Sequence, residues 1–552
     1  MMESKAASPQ GIGPAPAPVR RRVLLICLTH LKAAGNAGNF QDYPYGLLSI
    51  ATYSKDIADF EILDLVGFDH QDTDFMVSVR DRLTANTYDV VGISVMFDNA
   101  YRYVGPVARL VKELAPDALR LLGGAAVYPA AQKILKIQPD IDAIAYSEAE
   151  VIMRDLLLAE NMRDALEEDR AWVTRGSIER GTSPDKNLLN DLDKVVDLDY
   201  SLVDQDRYKP VSSYYPTLDI HEDNPVQFPL ITSRGCPFKC TFCWHSGEND
   251  TSMRYASVDR IIAHLQHLVD TYGLTTVAIY DDQILLNRSR AKEFFRKVAP
   301  LNLRIELPNG VTVSYVDDEL AELMYKGGVR AVRLAIESGD PHVLRNIINK
   351  PMRLDRVKPV ADTLRKFGIW IFGFFVVGMP GETDEHRRNT VDFIREVGID
   401  WCSVSIASPT KGSLLYQECI TNGYIEEKDD FLVSGYLDNE NVINTPEYSA
   451  QYVSRAAYDL NLEVNFVNNF RMSIGDYKNA ALYFDYLVRT YPDHAFAHFY
   501  LGQCLTKLGR AAEAAGHFSR ASELCRQDSG WAERFERFSL TNEFRLRTIA
   551  AA

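Results

Sequence analysis

Three cysteines stand close together near the middle of the chain, in the segment Cys236-Pro-Phe-Lys-Cys240-Thr-Phe-Cys243. The segment follows an apolar stretch typical of a β-strand and precedes a stretch with helical periodicity. Three thiolates on one loop can bind three corners of a four-iron cluster, although such clusters more often take four cysteines. Because the next cysteine is Cys402, the remaining iron would be an open Lewis acid for a chelating substrate.

A structural zinc site is the alternative interpretation of this segment. Zinc takes a fourth cysteine or histidine ligand in such sites, and His245 is the nearest candidate. The strand before the segment and the helix after it favour the cluster. The other cysteines, such as Cys27, Cys504 and Cys525, are expected to be buried and unreactive.

The composition is that of a globular protein with several domains. The chain has 552 residues, 46% hydrophobic and 25% charged, which excludes a disordered or disulfide-scaffold protein. A formal net charge of −16 argues against nucleic acid as a partner. No stretch of about 18 apolar residues occurs, so no helix is expected to span a membrane. The first residues also lack the apolar run of a secretory signal. The sparse cysteines indicate a reducing cytoplasm.

The first half of the chain predicts a doubly wound α/β domain. Residues 1–21 are rich in Pro, Ala and Gly and are expected to form a disordered tail. Strands and helices alternate over residues 22–158, with apolar strands typical of a Rossmann-like parallel sheet. The predicted strands are Val23–Leu28, Phe60–Leu65, Val90–Val95, Arg120–Leu122 and Ala143–Tyr146. Ligands of such sheets bind at the carboxyl ends of the strands, here the loops 94–99 and 123–128.

The second half predicts a partial barrel and a helical tail. Residues 159–225 are interpreted as a linker, and residues 226–425 contain six strand–helix units, typical of a partial (β/α)6 TIM-type barrel. Residues 426–552 are expected to be helical. Gly475 and Gly509 are 34 residues apart, the period of tetratricopeptide-like (TPR) repeats, which we place at about 468–526. Two repeats are too few for a free-standing solenoid, so we expect them to pack on the barrel.

The cysteine segment, on the loop after the first barrel strand, resembles the radical S-adenosylmethionine (SAM) superfamily. Cys236, Cys240 and Cys243 match its cluster ligands. The resemblance implies that the open iron chelates the amino and carboxylate groups of SAM. One electron then yields a 5′-deoxyadenosyl radical, which takes a hydrogen atom from the substrate. The residues implied to contact SAM are Phe242, Asp281, Asn309, Glu337 and Gly378.

Apart from Phe242, which lies in the cysteine segment, these SAM contacts belong to motifs that end the second to fifth barrel strands. By the resemblance, Glu337 would bond the methionyl amine, and the strand-end glycines would let the adenine lie close to the backbone. Two of the motifs have structural alternatives. Asp281-Asp282 could cap the helix that begins near Asn287, and the segment 378–382 could be a turn that binds no ligand.

The first domain resembles the cobalamin-binding domain that precedes many radical SAM barrels. The resemblance rests on the segments 43–48, 89–94, 121–124 and 146–150. It implies a cobalamin across the carboxyl ends of the sheet, with its nucleotide tail near the Gly123-Gly124 turn. The residues implied to bind it are Ser94, Val95, Met96, Gly123, Gly124 and Glu148. The D-x-H-x-x-G signature, whose His ligates cobalt in well-known relatives, is absent. The alternative is a flavodoxin-like domain that has lost its cofactor.

Together these resemblances imply a cobalamin-dependent radical SAM methyltransferase of the class B type. It would methylate a carbon of a small-molecule intermediate of secondary-metabolite, lipid or pigment biosynthesis, with a flavodoxin or ferredoxin as electron donor. A tetrapyrrole ring cyclase of the anaerobic type shares every motif and is the enzyme alternative. Methylthiolation of tRNA is disfavoured because only Cys27 precedes Cys236. An interaction protein, with a structural cluster and a partner bound by the TPR-like tail, is the alternative of another class.

Overall fold

The computed structural model describes residues 20–28, 43–65, 74–96, 98–208, 225–246, 252–426 and 442–541. Residues 1–19 of the expected disordered tail therefore lie outside the described residues. Phe97, in the loop after the third strand, lies outside them as well. Within the described ranges, no helix combines the length and the apolar character needed to cross a bilayer.

The first domain is a six-stranded sheet with helices on both faces. Its strand order is β2-β1-β3-β4-β5-β6, and all neighbours are parallel except β5 and β6. The strands are β1 (Arg21–Leu28), β2 (Ala58–Asp64), β3 (Val90–Val95), β4 (Leu119–Gly123), β5 (Ala143–Ala145) and β6 (Trp172–Thr174). The helices are α1 (Tyr45–Ser54), α2 (Asp74–Ala85), α3 (Val104–Leu114), α4 (Ala131–Ile137), α5 (Ala149–Leu158), α6 (Met162–Glu168) and α7 (Arg175–Glu179).

The central strands are buried on both faces, as the predicted doubly wound sheet requires. Six consecutive residues of β1, Val23 to Leu28, are buried, and alternate ones belong to two different apolar cores. The predicted strands all occur, within two residues at each end. The structure differs in the segment interpreted as a linker. Its residues 172–174 add the antiparallel edge strand β6, too short to give a periodic signal.

The second domain contains the six predicted parallel strands. They lie in the order β7-β10-β11 and β12-β13-β14, and isolated bridges (305 with 329, and 311 with 334) join the two halves. The six parallel strands are β7 (Gln227–Leu230), β10 (Thr276–Ile279), β11 (Arg304–Glu306), β12 (Ala331–Glu337), β13 (Trp370–Val377) and β14 (Trp401–Ile406). Between β7 and β10, the short strands β8 (Ser233–Arg234) and β9 (Arg254–Tyr255) form a separate antiparallel pair. The helices are α8 (Val258–Tyr272), α9 (Arg288–Val298), α10 (Asp318–Lys326), α11 (Val357–Lys366), α12 (Asp384–Val397) and α13 (Leu414–Thr421).

The helical tail packs against the last strands of the barrel, which confirms the expected docking. Tyr483 of the tail stacks on Trp401 of β14, with ring centroids 4.8 Å apart. The tail helices are α14 (Ala450–Leu462), α15 (Phe470–Ser473), α16 (Tyr477–Thr490), α17 (Ala495–Lys507), α18 (Ala511–Gln527) and α19 (Ser529–Arg537). Helix α17 is buried along most of its length, so it lies inside the tail rather than along an open groove.

Candidate active site

The cysteine loop begins at a tight backbone contact. Gly235, between β8 and Cys236, has a φ of +100°, and a Cβ there would lie 2.1 Å from the carbonyl oxygen of Ser252. Only glycine suits this position. Cys236 and Cys240 are 7% and 8% exposed, and Cys243 is half-buried.

Backbone and hydroxyl hydrogen bonds hold the loop on the neighbouring elements. The amide and hydroxyl groups of Thr241 donate to the carbonyl oxygens of Ile348 and Ile347, both at 2.8 Å. These two carbonyls belong to the end of a π-helical turn after β12 and the residue that follows it. The amide of Leu415, in α13, donates to the carbonyl of Thr241 at 2.9 Å. The loop is therefore fixed from both sides before any cofactor binds.

The three thiols share one buried environment. Burial raises the pKa of Cys236 to about 11 and that of Cys240 to about 12, and each of these thiols also lies within electrostatic reach of Cys243. Lys350 opposes the rise at Cys240. The pKa of Cys419 is also raised to about 12, but by burial and by Glu418 and not by the three cysteines of the loop.

This arrangement fits a cluster better than a single ion. Among the described residues, no three His, Cys, Asp or Glu side chains surround one position that could hold a metal ion. A four-iron cluster takes one thiolate per iron, so its ligands need not meet at a point. His245, the candidate fourth zinc ligand, places its Nε2 atom 3.1 Å from Asp282 Oδ2.

Glu337 lies at the end of β12 beside the cysteine loop. A register shift interrupts the strand before it, and its φ of +70° is rare for a residue with a side chain. Its carboxylate is buried and accepts a hydrogen bond from Lys350 at 2.8 Å. Glu337 also contributes to the raised pKa of Cys240 and Cys243. The predicted SAM-contacting carboxylate and the predicted cluster ligands are thus neighbours.

Asp281 lies beneath the strand that leads into the cysteine loop. It accepts hydrogen bonds from the amide and hydroxyl of Thr232, both at 2.5 Å, and from the hydroxyl of Ser233 at 2.6 Å. These contacts favour a positioning role over the predicted contact with SAM. The capping alternative is wrong, because Asn287 caps α9 by accepting a hydrogen bond from the amide of Arg290.

The other predicted SAM contacts occupy different settings. Phe242 packs among apolar residues with Cys240. Asn309 is exposed and donates to the carbonyl of Tyr280 at 2.7 Å. Gly378 has a φ of +83°, and a Cβ there would lie 2.5 Å from Val453 of α14. At Gly378 the backbone of the barrel therefore lies close to the helical tail. Tyr448 donates to the Gly378 carbonyl at 3.0 Å.

The predicted cobalamin residues lie together at the carboxyl ends of β3 and β4. Ser94 pairs with Gly123 across the sheet, Val95 is buried, and Met96 is 45% exposed. Gly124 has a φ of +108°, and a Cβ there would lie 2.2 Å from the carbonyl oxygen of Val95. Glycine is required at this turn, as a ligand-approaching loop at a sheet edge would need.

Glu148, the remaining predicted cobalamin residue, pairs with the other domain instead. It accepts hydrogen bonds from Arg234 at 3.0 Å and from Arg254 at 2.8 and 2.6 Å. Glu150 accepts from Arg234 at 2.8 Å and from Ser49 at 2.5 Å. Neither arginine is predicted from the sequence as a functional residue, although a charged Arg234 next to an apolar strand is a usable signal.

Aromatic side chains complete the contact between the domains. Trp244, directly after the last cysteine, lies edge-on to Tyr128 in the loop after β4, with ring centroids 5.4 Å apart. Tyr146, after β5, meets the same Tyr128 ring at 5.4 Å. The loops at the carboxyl ends of the first sheet therefore face the cysteine loop.

Family models match three parts of the chain. The model of the radical SAM superfamily matches residues 230–394, and that of the B12 binding domain matches residues 36–157. The chain therefore carries both domains that the resemblance to cobalamin-dependent radical SAM enzymes implies. The two domains of this radical SAM enzyme account for the predicted cofactors, which are a four-iron cluster, SAM and cobalamin. A tetratricopeptide-repeat model matches residues 471–529, in agreement with the predicted repeats.

Curated relatives and solved structures agree with this family. The radical SAM chain is 29% identical over 409 residues to cytidylyl-2-hydroxyethylphosphonate methyltransferase of Streptomyces wedmorensis, covering 68% of this chain and 75% of the relative. It is 25% identical over 357 residues to anaerobic magnesium-protoporphyrin IX monomethyl ester cyclase of Rubrivivax gelatinosus, covering 62% and 60%. The structure of the cobalamin-dependent SAM radical enzyme OxsB superposes with a TM-score of 0.60 at 12% identity, covering 96% and 84%. This last likeness shows the shared fold.

Proposed function

We propose that this protein is a cobalamin-dependent methyltransferase that moves a methyl group to a carbon centre of a small-molecule biosynthetic intermediate. The observation that carries the proposal is the contact between the cysteine loop and the loops after β4 and β5. Trp244 meets Tyr128 there, and Arg234 meets Glu148. Two reactive centres on facing domains would be held close together, which is the arrangement that transfer from one to the other needs.

In this proposal, Cys236, Cys240 and Cys243 hold the cluster, and Glu337 receives the amino group of SAM. When bound, the cluster would supply the electron that cleaves SAM, and cobalamin would supply the methyl group. Lys350 orients the Glu337 carboxylate through its 2.8 Å hydrogen bond. Phe242 and Asn309 remain proposed SAM contacts, at the apolar and the exposed side of the site.

The cobalamin would lie on the loops after β3 and β4. Ser94, Met96 and the Gly123-Gly124 turn are its proposed contacts. The paired rings of Tyr128 and Trp244 would exclude water at the edge of the space between the domains, which protects a reactive centre from side reactions.

The substrate class and the electron donor follow from relatives and chemistry. The name of the Streptomyces relative gives cytidylyl-2-hydroxyethylphosphonate as a first substrate to test. A flavodoxin or ferredoxin is the proposed source of single electrons. We place the protein in the cytoplasm, where a reducing environment would keep the buried thiols available for iron.

The test is a label-transfer experiment on anaerobically purified, cofactor-loaded protein. SAM carrying a deuterated methyl group is supplied with a chemical reductant and a panel of candidate intermediates led by cytidylyl-2-hydroxyethylphosphonate. The proposal expects release of 5′-deoxyadenosine and a product that carries the label on carbon. Cys243→Ala serves as the inactive control. Release of 5′-deoxyadenosine with a cyclised, unlabelled product from a porphyrin monomethyl ester would instead favour the cyclase, whose named relative aligns over 357 residues.

A further inference from the structure

Four charged side chains form a buried network between the two domains. Arg234 donates to Glu148 at 3.0 Å, to Glu150 at 2.8 Å and to Ser49 at 3.1 Å. Arg254 donates to both carboxylate oxygens of Glu148, at 2.8 and 2.6 Å. We call Arg234, Arg254, Glu148 and Glu150 the interdomain clamp.

The clamp is buried, which makes its geometry demanding. The side chains of Arg234, Arg254 and Glu150 are 15%, 9% and 5% exposed, and that of Glu148 is 25% exposed. Burying one of these charges without its partner would be strongly unfavourable, so the network tolerates few relative positions of the two domains. The guanidinium fork of Arg234 reaches two different carboxylates, a task that a lysine ammonium performs less well.

The clamp joins the two structural features that carry the proposed cofactor sites. Arg234 is the last residue of β8, two positions before Cys236, and Arg254 is its partner in the paired strand β9. Glu148 and Glu150 come after β5, at the same sheet edge as the Gly123-Gly124 turn. A shift in the clamp would therefore move the cysteine loop relative to the B12-binding domain.

We propose that the interdomain clamp consists of positioning residues that set the separation between the cluster and the cobalamin. This inference rests on the proposed function and deepens it. The clamp residues touch neither reacting atom. Their contribution is to keep the radical formed at one domain within reach of the methyl group held at the other, because displacements of about 1 Å can cost about a hundredfold in rate.

The test compares Arg234→Lys and Glu148→Gln with a matched control, Arg154→Lys, whose ion pair with Asp56 lies within the first domain. In each loaded protein, electron paramagnetic resonance measures the magnetic interaction between the reduced cluster and cob(II)alamin, which reports their separation. Product analysis then gives the ratio of 5′-deoxyadenosine released to methyl groups transferred. The clamp variants should retain iron and corrinoid, show a broadened or shifted magnetic interaction, and raise the ratio about 10- to 100-fold. The control should match the wild type.

An unchanged magnetic interaction together with an unchanged ratio in both clamp variants would overturn the proposal. If Arg234→Lys fails to fold or to load its cluster, Glu148→Gln decides, since Glu148 lies in the first domain and not in the domain that carries Cys236, Cys240 and Cys243. If the wild type transfers no methyl group to any substrate, the proposed function fails. The magnetic interaction alone then tests the clamp.

Discussion

The side chain of Asn465 replaces a neighbouring strand at the edge of the barrel. Its Oδ1 atom accepts from the amide of Cys402 at 2.7 Å, and its Nδ2 atom donates to the carbonyl of the same residue at 2.8 Å. Both residues are 1% exposed. The last strand of a partial barrel would otherwise present unpaired backbone groups, so the tail closes the edge and is an integral part of the barrel.

Asn465→Ala should therefore destabilise the protein by about 2–4 kcal/mol, because it leaves a buried amide and a buried carbonyl without partners. The free energy of unfolding in urea, followed by tryptophan fluorescence, measures the effect. Asn422→Ala, at an exposed position after α13, should change stability by less than about 0.5 kcal/mol. Equal stability of the two variants would contradict the role of Asn465.

Gly378→Ala should destabilise the contact between the barrel and the tail. The new Cβ would lie 2.5 Å from Val453, in a backbone conformation with a φ of +83°. Gly423→Ala is the matched control, since its φ is +68° with no atom within 4 Å of the added Cβ. The midpoint temperature of thermal unfolding should be well below that of Gly423→Ala in the Gly378→Ala variant. Adding Val453→Ala to Gly378→Ala should recover part of this difference in midpoint temperature. No recovery in the double variant would mean that Val453 is not the obstacle.

Asp281→Asn should lower the iron content of purified protein by disturbing the strand that enters the cysteine loop. The amide nitrogen of asparagine cannot accept the hydrogen bonds that Thr232 and Ser233 now donate. Iron and sulfide analysis after anaerobic reconstitution measures this effect. The control is Asp282→Asn, at the next position in the chain, where the side chain is 42% exposed; this variant should keep wild-type iron. Full iron content in Asp281→Asn, combined with weakened SAM binding, would restore the direct SAM contact expected from the sequence.

His264 should make the barrel sensitive to acid. Burial lowers its pKa from 6.5 to about 4, and neither ring nitrogen has a hydrogen-bond partner. As the pH falls below about 6.5, the unfolded chain takes up a proton that the folded His264 does not, so stability falls until about pH 4. The loss over this window is about 3 kcal/mol.

His264→Phe should remove this loss while it keeps the ring packing against Tyr200. Unfolding at pH 7 and pH 5 measures the difference. His267→Phe, at an exposed position of the same helix, should leave the acid dependence as it is in the wild type. A wild-type acid response in His264→Phe would assign the dependence to other groups.

Much of the fold could be predicted from the sequence because its signals are local. Apolar strands such as Val90–Val95 and the spacing of the cysteines depend on a few adjacent residues. The contacts across the domain boundary could not be predicted, because Glu148 and Arg254 lie 106 positions apart in the chain. The same limit applies to the contact between Gly378 and Val453, since these two residues are distant in sequence.

In the proposed function, Cys236, Cys240 and Cys243 would hold a cluster whose open iron would bind SAM, facing a cobalamin on the other domain. The most direct measurement is the iron, sulfide and corrinoid content and the 5′-deoxyadenosine release of four anaerobically reconstituted variants. Three of them are the single alanine substitutions of Cys236, Cys240 and Cys243. The fourth, Cys419→Ala, is the control, because Cys419 lies in the same buried apolar core as Cys240. We expect about four irons per chain and nucleoside release in the wild type and in Cys419→Ala. We expect loss of both, with corrinoid retained, in the other three. Wild-type iron and nucleoside release in any one of those three would contradict the account.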